Sequence, residues 1–550
     1  ALTLAPVLSA RLIGGEVHSH FPVFVWFNNG LQSFRQWYRG MLPRFFRARW
    51  LVAGIFVLAL VATTILFKTT PTAFVPNEDQ GFFITTIQAP QGTSLANETA
   101  IATKVENIIR QQPEVSDIFD VGGFSFSGSS PSGGLMFVQL KPWADRKGSA
   151  HALDAVLGRV QGPFFGIPGA QVFAFNPPAI AGVGNFGGFQ FELEDRGDVG
   201  LPNLMKTAYG YMGLGNQNPD LSGVFTTFRL DSPQLLVNVN RNKAKSVGVT
   251  LNDIFSTMQT DLGSFDVNDF DYLNRSYHVY VQADQQFRSR LDALQYLYVR
   301  SSQGGIIPIN ALVTAKQVQA PPVISHYNLY RNIEISGSAA PGKGSGQAIA
   351  AMAQLAQKLD PAGVSYEWSG LSLDEVAAGS QTILIFALGI IFVFLVLAAQ
   401  YESFVDPLIV LFAVPCALLG GLLFLNLRHV PSDVYAQVGY VMLIGLAAKN
   451  AILIVEFANQ QMRAGADIVS AASRAAQTRL RPILMTSIAF VAAVIPLVFA
   501  TGAGSAARHS LGTVVFGGMI VSTILNLAIT PVIYIIVKSI TRSKKRGSAA

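Results

Sequence analysis

Six runs of apolar residues along the chain are each long enough to cross a bilayer as a helix. A helix rises 1.5 Å per residue, so the roughly 30 Å hydrocarbon core needs about 20 residues. The runs lie at residues 50–67, 382–399, 408–427, 434–457, 483–499 and 514–537. Arg and Lys gather before the first run, between the fourth and fifth runs, and after the sixth. The positive-inside rule places these three segments in the cytoplasm, with both ends of the chain inside.

The alternation of spans places residues 68–380 on the opposite side of the membrane in one block with the pattern of soluble α+β protein. Strand-like alternation at 81–88 is followed by helical spacing over 93–111, and the order βαββαβ continues to about residue 175. A similar series begins near residue 188 and ends near residue 368. Between its halves, residues 232–316 form an inserted segment.

Composition agrees with a membrane protein that has a large extramembrane part. Only 13% of the residues are charged, against about 25% in a soluble domain. The net charge of +6 comes from residues beside the apolar runs, which argues against a nucleic-acid-binding surface. The single cysteine, Cys416, excludes an intrachain disulfide. Residues 27–49 mix aromatics with arginines and predict a helix on the inner membrane surface.

Lys449 and Asn450 interrupt the fourth apolar run near its middle. Lys449 is about 14 residues, or roughly 21 Å, from the outer end of the run, so its side chain does not reach the surface. An unpaired ammonium group at this depth costs at least a few kcal/mol, and a buried partner is therefore expected. Glu456 lies at the interface, and Glu402 and Asp406 lie in a cytoplasmic turn. No carboxylate of this chain is expected at the membrane centre.

Six phenylalanines stand out in the extramembrane block. Phe124 and Phe126 are embedded in Gly, Ser and Pro, a composition that suits an exposed and mobile loop. The other four flank this loop or follow it in the stretch VFAFN: Phe119, Phe137, Phe173 and Phe175. Aromatic surfaces suit varied apolar ligands because they offer contact area without a fixed hydrogen-bond pattern. The alternative is that these side chains belong to an ordinary hydrophobic core.

Several longer motifs identify a family. They are LAAKNAILIVEFANQ (446–460), TRLRPILMTS (478–487), FATGAGS (499–505), PNEDQGFF (76–83), KPWADR (141–146), VFAFNPPAI (172–180), NDF (268–270), AAPGKGSG (339–346) and QYESF (400–404). The chain resembles, over nearly its whole length, the C-terminal half of resistance-nodulation-division multidrug exporters of the AcrB and MexB type. The chain has no initiating Met, and its opening ALTLAPVLSARLI reads as the tail of a hydrophobic span. We therefore expect it to be the latter part of a longer protein.

The resemblance implies an α-helical transmembrane bundle of six spans plus the tail of a preceding one. It also implies a periplasmic α+β region of ferredoxin-like βαββαβ porter modules with an inserted docking subdomain. The expected domains are the preceding span (1–14), a cytoplasmic linker with the surface helix (15–49), a span (50–67), the first porter module (68–186), the second porter module (187–231 and 317–372), the docking subdomain (232–316), spans at 373–399, 407–427 and 434–458, a linker (459–478), spans at 479–500 and 511–538, and a tail (539–550).

The resemblance also assigns roles to particular residues. The implied proton relay comprises Lys449, Asn450, Arg479 and Thr486, with Lys449 neutralising a pair of aspartates from the fourth span of the other half. The implied substrate pocket comprises Phe119, Phe124, Phe126, Phe137, Phe173, Phe175 and Ile180. Simpler interpretations stay open: Lys449 forms a static salt bridge, Arg479 anchors the cytoplasmic side, and Thr486 bonds its own backbone. The switch loop SGSSPSGG lacks the charged or amide residue that the family often has, which leaves substrate preference open.

The function implied is a proton/drug antiporter subunit in the inner membrane of Gram-negative bacteria, exporting hydrophobic or amphiphilic compounds. It has no cofactor and uses protons as the coupling ion. Expected partners are the N-terminal half of the transporter, two further copies in a homotrimer, a periplasmic adaptor, an outer-membrane channel, membrane lipids and small-molecule drugs, with no nucleic acid.

Other functions are less well supported by the residues. No GxSxG, HExxH or P-loop motif is present, which argues against an enzyme or an ATP-driven pump. Heavy-metal export would need charges in the second span and clustered methionines, and neither is found. Export of lipids or lipo-oligosaccharides, and a proton-driven accessory of protein translocation, remain alternatives.

Overall fold

The computed structural model describes residues 4–12 and 22–547, except Ser127, Ala181, Val183 and Asn185. The described chain opens with helices α1 (Leu4–Leu12), α2 (Pro22–Arg47) and α3 (Arg49–Thr69). Within α2, Trp26 and Trp37 are exposed whereas Tyr38 and Leu42 are buried. The Tyr38 hydroxyl donates to the carbonyl of Leu527 at 2.6 Å, which holds α2 against the last helix of the chain.

The first sheet follows α3 directly. Its elements are β1 (Phe82–Gln88), α4 (Leu95–Arg110), β2 (Val115–Ser125), β3 (Gly128–Leu140), α5 (Leu153–Phe164) and β4 (Gln171–Phe175). The strands are antiparallel and lie in the order β2-β3-β1-β4. Helix α4 begins after Ser94, whose side chain accepts a hydrogen bond from the backbone N–H of Asn97 at 3.4 Å. The apolar faces of α4 and α5 pack on the sheet around Phe83, Val105 and Val160.

An inserted segment divides the second set of strands. Before it come β5 (Phe189–Asp195), α6 (Leu201–Gly215) and β6 (Leu221–Phe225). The insertion contains β7 (Ser232–Val239), α7 (Arg241–Ser246), α8 (Leu251–Met258), β8 (Phe265–Tyr272), β9 (Arg275–Val281), β10 (Tyr298–Arg300), β11 (Ile306–Pro308) and β12 (Val313–Ala320). After it come β13 (His326–Tyr327), β14 (Tyr330–Ala339), α9 (Ser345–Leu359) and β15 (Val364–Ser369).

The second sheet repeats the pairing of the first. Strand β5 lies between β14 and β15, and β6 pairs with the other edge of β14. The sequence of elements β5-α6-β6, then β14-α9-β15, therefore gives the same strand order as in the first sheet. The insertion leaves and re-enters through the antiparallel pair β7 and β12. It has its own small core around Ile254 and Ile309, and its β8–β9 hairpin is exposed along its whole length.

The remaining helices form the bundle. They are α10 (Gly370–Tyr401), α11 (Val405–Leu411), α12 (Val414–Leu427), α13 (Val434–Arg463), α14 (Ile468–Val498) and α15 (Ser505–Gly547). Among the described residues, six helical segments are long and apolar enough to cross a membrane, which agrees with the number of apolar runs in the sequence. The third consists of α11 and α12 together. The break at Phe412 and Ala413 follows Leu411, because Pro415 has no N–H to donate to the Leu411 carbonyl and its ring clashes with that carbonyl in a continuous helix.

Several helices are longer than the apolar runs that predicted them. The predicted linker 459–478 is mostly helical, because α13 continues to Arg463 and α14 starts at Ile468. Helix α10 likewise starts at Gly370, well before the apolar run at 382–399. Hydropathy finds only the part of a helix in contact with lipid, whereas capping groups fix its end. Asp467 begins α14 by accepting from the backbone N–H of Ser470 at 3.2 Å.

Candidate functional site

A cluster of phenylalanine rings lies where the first sheet meets the second. Phe173 and Phe175 extend from β4, which pairs with β1 at the edge of the first sheet. The Phe175 ring centroid lies 6.1 Å from that of Phe126, which follows β2. Three of the six predicted phenylalanines, Phe126, Phe173 and Phe175, therefore lie in one region. Strand β4 places two of them on one face, and the Gly- and Ser-rich loop provides the third.

Two further members of the cluster were not predicted from the sequence. Phe186 lies 4.6 Å from Phe175 and 5.3 Å from Phe126, between ring centroids. Phe225, at the end of β6, stacks on Phe173 with centroids 4.8 Å apart. Phe186 stands among glycines, the same signal that singled out Phe124 and Phe126. Phe225 had no local signal, because its role depends on the packing of the second sheet against the first.

A cavity of about 890 Å³ opens beside these rings. Its upper wall is formed by Phe165, Phe173, Phe175, Phe186 and Phe225. It continues toward the membrane bundle, where its lower wall is formed by Asn426, His429, Val430, His509 and Ser510. The carboxyl of Asp154 lies on the wall, where surrounding protein and the charge of Asp79 raise its pKa. The cavity thus has a group of aromatic side chains on one wall and links the two sheets to the end of the bundle. We call it the aromatic cleft.

The other predicted substrate residues lie elsewhere. Phe119 and Phe137 face each other across β2 and β3, with ring centroids 6.3 Å apart, and both are exposed. Phe124 is exposed at 45% near the end of β2, and Ile180 is exposed at 44% beyond β4. None of these four lines the aromatic cleft as described. The exposure of Phe119, Phe124 and Phe137 argues against an ordinary core for them.

Lys449 lies on an exposed face of α13 rather than among the packed helices. Val441, Met442 and Gly445, one and two turns earlier, are exposed on the same face. The Lys449 ammonium lies 5.6 Å from the ring centroid of Phe490 on α14, within range of a cation–π contact. Within the part of the chain that the structure describes, it forms no ion pair.

Arg479 and Thr486 both lie on α14, which begins at Ile468. The Arg479 guanidinium lies 4.8 Å from the Phe457 ring centroid, and its buried Nε has no hydrogen-bond partner among the described residues. The Thr486 hydroxyl donates to the carbonyl of Ile483 at 3.1 Å, the backbone bond that the simpler interpretation anticipated. Within the described part of the chain, neither side chain forms a hydrogen bond or an ion pair with Lys449.

Asn450 points into the bundle, away from its neighbour Lys449. It is 2% exposed, and its amide donates to the Ser487 hydroxyl on α14 at 3.3 Å. The Ser487 and Thr523 hydroxyls are 2.9 Å apart, and Thr523 donates to the carbonyl of Met519 at 2.6 Å. Because the Thr523 proton is used in that bond, Ser487 donates to Thr523 and accepts from Asn450. This polar chain links α13, α14 and α15.

Asp406, predicted in a cytoplasmic turn, lies in the first turn of α11 and is buried. Its carboxylate pairs with the Lys538 ammonium of α15 at 2.6 Å and accepts from the Asn459 amide at 3.1 Å. The Tyr534 hydroxyl donates to the Asn459 side-chain oxygen at 2.8 Å. Asn526, one turn after Thr523, is 2% exposed, and its amide has no partner among the described residues. Sequence patterns gave no signal for these contacts between distant helices.

One group of metal-ligand side chains lies on the β8–β9 hairpin, within the described residues. His278 bonds to Asp269 through its Nδ1 atom and lies 3.6 Å from a carboxylate oxygen of Asp266. All three side chains are exposed, and the hydrogen bond between His278 and Asp269 holds two of them together. They lie in a different part of the chain from the aromatic cleft and the bundle.

The comparison with known proteins decides the family. The sequence profile of the AcrB/AcrD/AcrF family matches residues 1–538. The chain belongs to this family. The resemblance to resistance-nodulation-division exporters is thereby confirmed, as are the six apolar helices and the sheet-rich region between them.

Several curated relatives in this family have names that refer to efflux. The chain is 40% identical to "Multidrug resistance protein MdtF" of Escherichia coli (strain K12), over 99% of this chain and 53% of the relative. It is 37% identical to "Toluene efflux pump membrane transporter TtgB" of Pseudomonas putida, over 99% of this chain and 52% of the relative. It is 38% identical to "Multidrug export protein AcrF" of Escherichia coli (strain K12), over 98% and 53%. The chain spans about half the length of the curated relatives it matches.

Proposed function

We propose that the chain is part of an inner-membrane antiporter that exports hydrophobic or amphiphilic compounds in exchange for protons. The observation that carries this proposal is the aromatic cleft, a cavity of about 890 Å³ between the two sheets that reaches the bundle. Its volume lies within the usual range for sites that bury most of a drug-sized molecule. The printed names of the relatives, which refer to multidrug and solvent efflux, support the same substrate class.

The aromatic cleft suits many ligands because phenylalanine rings form one of its walls. These rings provide area and stacking without a fixed hydrogen-bond pattern. The charged groups on the wall are Asp154 and Lys343, which have opposite signs, so the cleft does not select strongly for one charge. We assign Phe173, Phe175, Phe186 and Phe225 to substrate contact, and Phe126 to the support of the Phe175 and Phe186 rings beside the cleft. Phe119, Phe124, Phe137 and Ile180 then contact substrate on the exposed face of the first sheet.

Proton coupling is assigned to the exposed face of α13. Lys449 has an aromatic neighbour but no carboxylate, although it lies at mid-membrane depth in an apolar helix. An ammonium group at this position needs a counter-charge. We propose that carboxylates from the other half of the transporter provide it, and that their protonation releases Lys449. Arg479 and the Asn450–Ser487–Thr523 chain connect this site to the neighbouring helices.

The extramembrane sheets fit the porter and docking roles that the resemblance implies. Each sheet has the βαββαβ order of a ferredoxin-like module, and the insertion returns through β7 and β12 to the second module. The exposed β8–β9 hairpin is available for contact with a periplasmic adaptor or an outer-membrane channel. We propose that three copies assemble in the inner membrane, with residues 68–380 in the periplasm.

A second candidate is lipid export by a member of the same superfamily. The lower wall of the cleft, at Asn426 and His429, lies at the end of the bundle, where a lipid could enter from the membrane. A test of transport should therefore include a labelled lipid beside the dyes.

Substitution of Phe186 and Phe225 tests the proposed function. Each ring makes aromatic contacts worth about 0.5–1.5 kcal/mol beyond its buried area, so Phe225→Ala should weaken dye binding roughly 3- to 10-fold. Phe186→Ala should act in the same direction. The measurement is dye binding by fluorescence polarisation, together with dye efflux from cells that express the complete transporter.

The matched control is Phe255→Ala, which removes an exposed ring of α8 that does not line the cleft. It should leave binding and efflux unchanged. Unaltered dye binding in both cleft variants would remove the substrate role of the cleft. Reduced transport of the labelled lipid alone would favour the second candidate.

A further inference from the structure

Glu98 is a buried ionisable group outside the aromatic cleft and outside the membrane spans. It lies in the first turn of α4 and is 0% exposed. Neither of its carboxylate oxygens has a hydrogen-bond partner among the described residues. Because a buried carboxyl group without a partner is costly, its position requires a physical explanation.

The carboxyl group fits a notch left by two glycines. Gly122 on β2 and Gly134 on β3 are paired across the strands. A methyl group on Gly122 would lie 3.0 Å from one oxygen of Glu98, and a methyl group on Gly134 would overlap the other oxygen. Glycine at both positions is therefore what allows Glu98 to lie against the sheet. We call this place the glycine notch.

The glycine notch lies at the base of the loop that carries Phe124 and Phe126. The pairing of β2 with β3 is regular from Asp117 to Gly122 and shifts between Gly122 and Phe124. Gly123 has a φ of +81°, a backbone conformation that other residues rarely adopt. The chain thus bends beside Glu98. If the carboxyl group leaves the notch, the backbone at this bend loses a packing contact. We call the end of the β2–β3 hairpin beyond Gly122 and Gly134, which carries Phe124 and Phe126, the aromatic loop.

The charges around Glu98 do not neutralise it. Strands β1 and β3 contain no charged residue, and β2 contributes Asp117 and Asp120. Burial, with an added contribution from the negative charge of Asp120, raises the pKa of Glu98 to about 7.

The basic residues of α4 and α5, the two helices that pack on this sheet, either form ion pairs with other carboxylates or are exposed to solvent. On α4, Arg110 pairs with Glu106 at 2.6 Å, and Lys104 is exposed. On α5, Arg159 pairs with Glu114 at 2.7 Å. The other charged residue of α5 is the acidic Asp154, whose pKa is raised by burial and by the negative charge of Asp79. No ion pair of Glu98 is formed within the described part of the chain.

We propose that Glu98 is a pH-dependent support of the aromatic loop. The neutral carboxyl group occupies the glycine notch and keeps the ends of β2 and β3 closed against α4. The ionised carboxylate leaves the notch for water, and the aromatic loop becomes more mobile. Acidification of the extramembrane compartment then stabilises the closed loop, and alkalinisation releases it.

The direction of the effect follows from proton linkage. A carboxyl group whose pKa is raised in the closed form favours that form below its ordinary pKa of 4.5. The advantage declines as the pH rises toward about 7 and is lost above it. With these two values, the opening equilibrium constant should increase about 20-fold between about pH 5.5 and about pH 7.5.

Hydrogen exchange of the full chain in nanodiscs, followed by mass spectrometry, tests the proposal. After correction for intrinsic exchange, peptides covering 119–137 should exchange about 20-fold faster at about pH 7.5 than at about pH 5.5. Glu98→Gln, which stays neutral, should remove this pH dependence and remain protected at both pH values. Peptides from β5 and β15 of the second sheet serve as an internal control and should not change.

Gly134→Ala provides a second variant with an independent expectation. Its methyl group displaces the carboxyl group from the notch, so the aromatic loop should exchange rapidly at both pH values. Equal pH dependence in wild type and Glu98→Gln would overturn the proposal, as would protection in Gly134→Ala equal to that of wild type. The readout does not require export, so its failure is distinguishable from failure of the proposed function.

Discussion

At the residue scale, neighbouring side chains in α13 have opposite environments. Lys449 is exposed beside Phe490, whereas Asn450 is buried and bonded to Ser487. A rotation of about 100° per residue explains why adjacent positions of one helix face different surroundings. The sequence identified both residues because a charge and an amide are costly in an apolar run. It did not identify Ser487 or Thr523, because a hydroxyl can bond its own helix and gives no comparable signal.

Removal of the Ser487 hydroxyl tests the polar chain between α13, α14 and α15. Ser487→Ala leaves the buried amide of Asn450 without an acceptor, which should reduce the free energy of unfolding by about 1 kcal/mol. The measurement is thermal unfolding of the purified protein in detergent. The control is Ser473→Ala on the same helix, whose hydroxyl accepts only from Gln477 one turn away. Equal stability of the two variants would contradict a structural role for the chain.

The candidate substrate residues show the limits of local sequence patterns. Phe126, Phe173 and Phe175 were predicted and lie together, since strand alternation and a loop composition are local properties. Phe225 comes from the second sheet and joins them only through tertiary packing. Residues at the end of the bundle, such as His429, also line the aromatic cleft. Sequence periodicity could not predict this, because it too depends on tertiary packing.

At the element scale, glycines determine how closely the helices approach. Gly420 of α12 and Gly517 of α15 lie at a close crossing. A methyl group on Gly420 would lie 2.5 Å from the carbonyl oxygen of Gly517 and 2.7 Å from Val521. Small residues at such crossings allow helix backbones to pack in membranes, where the hydrophobic effect does not drive association.

Substitution at this crossing should destabilise the bundle. Gly420→Ala forces α12 and α15 apart, at a cost of about 1–3 kcal/mol, and should lower the unfolding temperature in detergent. Gly54→Ala in α3 is the control, because no heavy atom outside its local helix backbone lies within 4 Å of the added methyl group. It should be neutral or slightly stabilising, since alanine favours helix by up to about 1 kcal/mol. A stable Gly420→Ala variant would contradict the close packing.

The elements themselves were largely predictable. The six spans follow from length and hydropathy, and the strand and helix order follows from periods of 2 and 3.6 residues. The ends of the helices were not predictable from hydropathy. Helices α13 and α14 continue beyond their apolar parts through polar residues, and capping and packing stabilise the helical conformation there. The break between α11 and α12 depends on Pro415 within an otherwise uninterrupted apolar run.

At the scale of the whole molecule, the first sheet is tied to the last helix. The Glu78 carboxylate accepts from the backbone N–H groups of Ala506 and Ala507, at 3.2 and 2.8 Å, at the start of α15. The adjacent Asp79 pairs with the buried Arg146 guanidinium at 2.9 Å. A shift of α15 within the bundle would therefore move residues 78–79 and, with them, the connection to the sheet. We propose that these contacts carry part of the coupling between the bundle and the first sheet.

The central claim is that Lys449 couples proton movement to transport of compounds through the aromatic cleft. The direct measurement is dye transport driven by a pH gradient in proteoliposomes that contain the complete transporter. Lys449→Ala should abolish proton-driven transport and leave dye binding in place, because the site in the cleft is unchanged. Lys147→Ala, which removes an exposed ammonium group outside the bundle, should transport normally. Full proton-driven transport by Lys449→Ala would contradict the account.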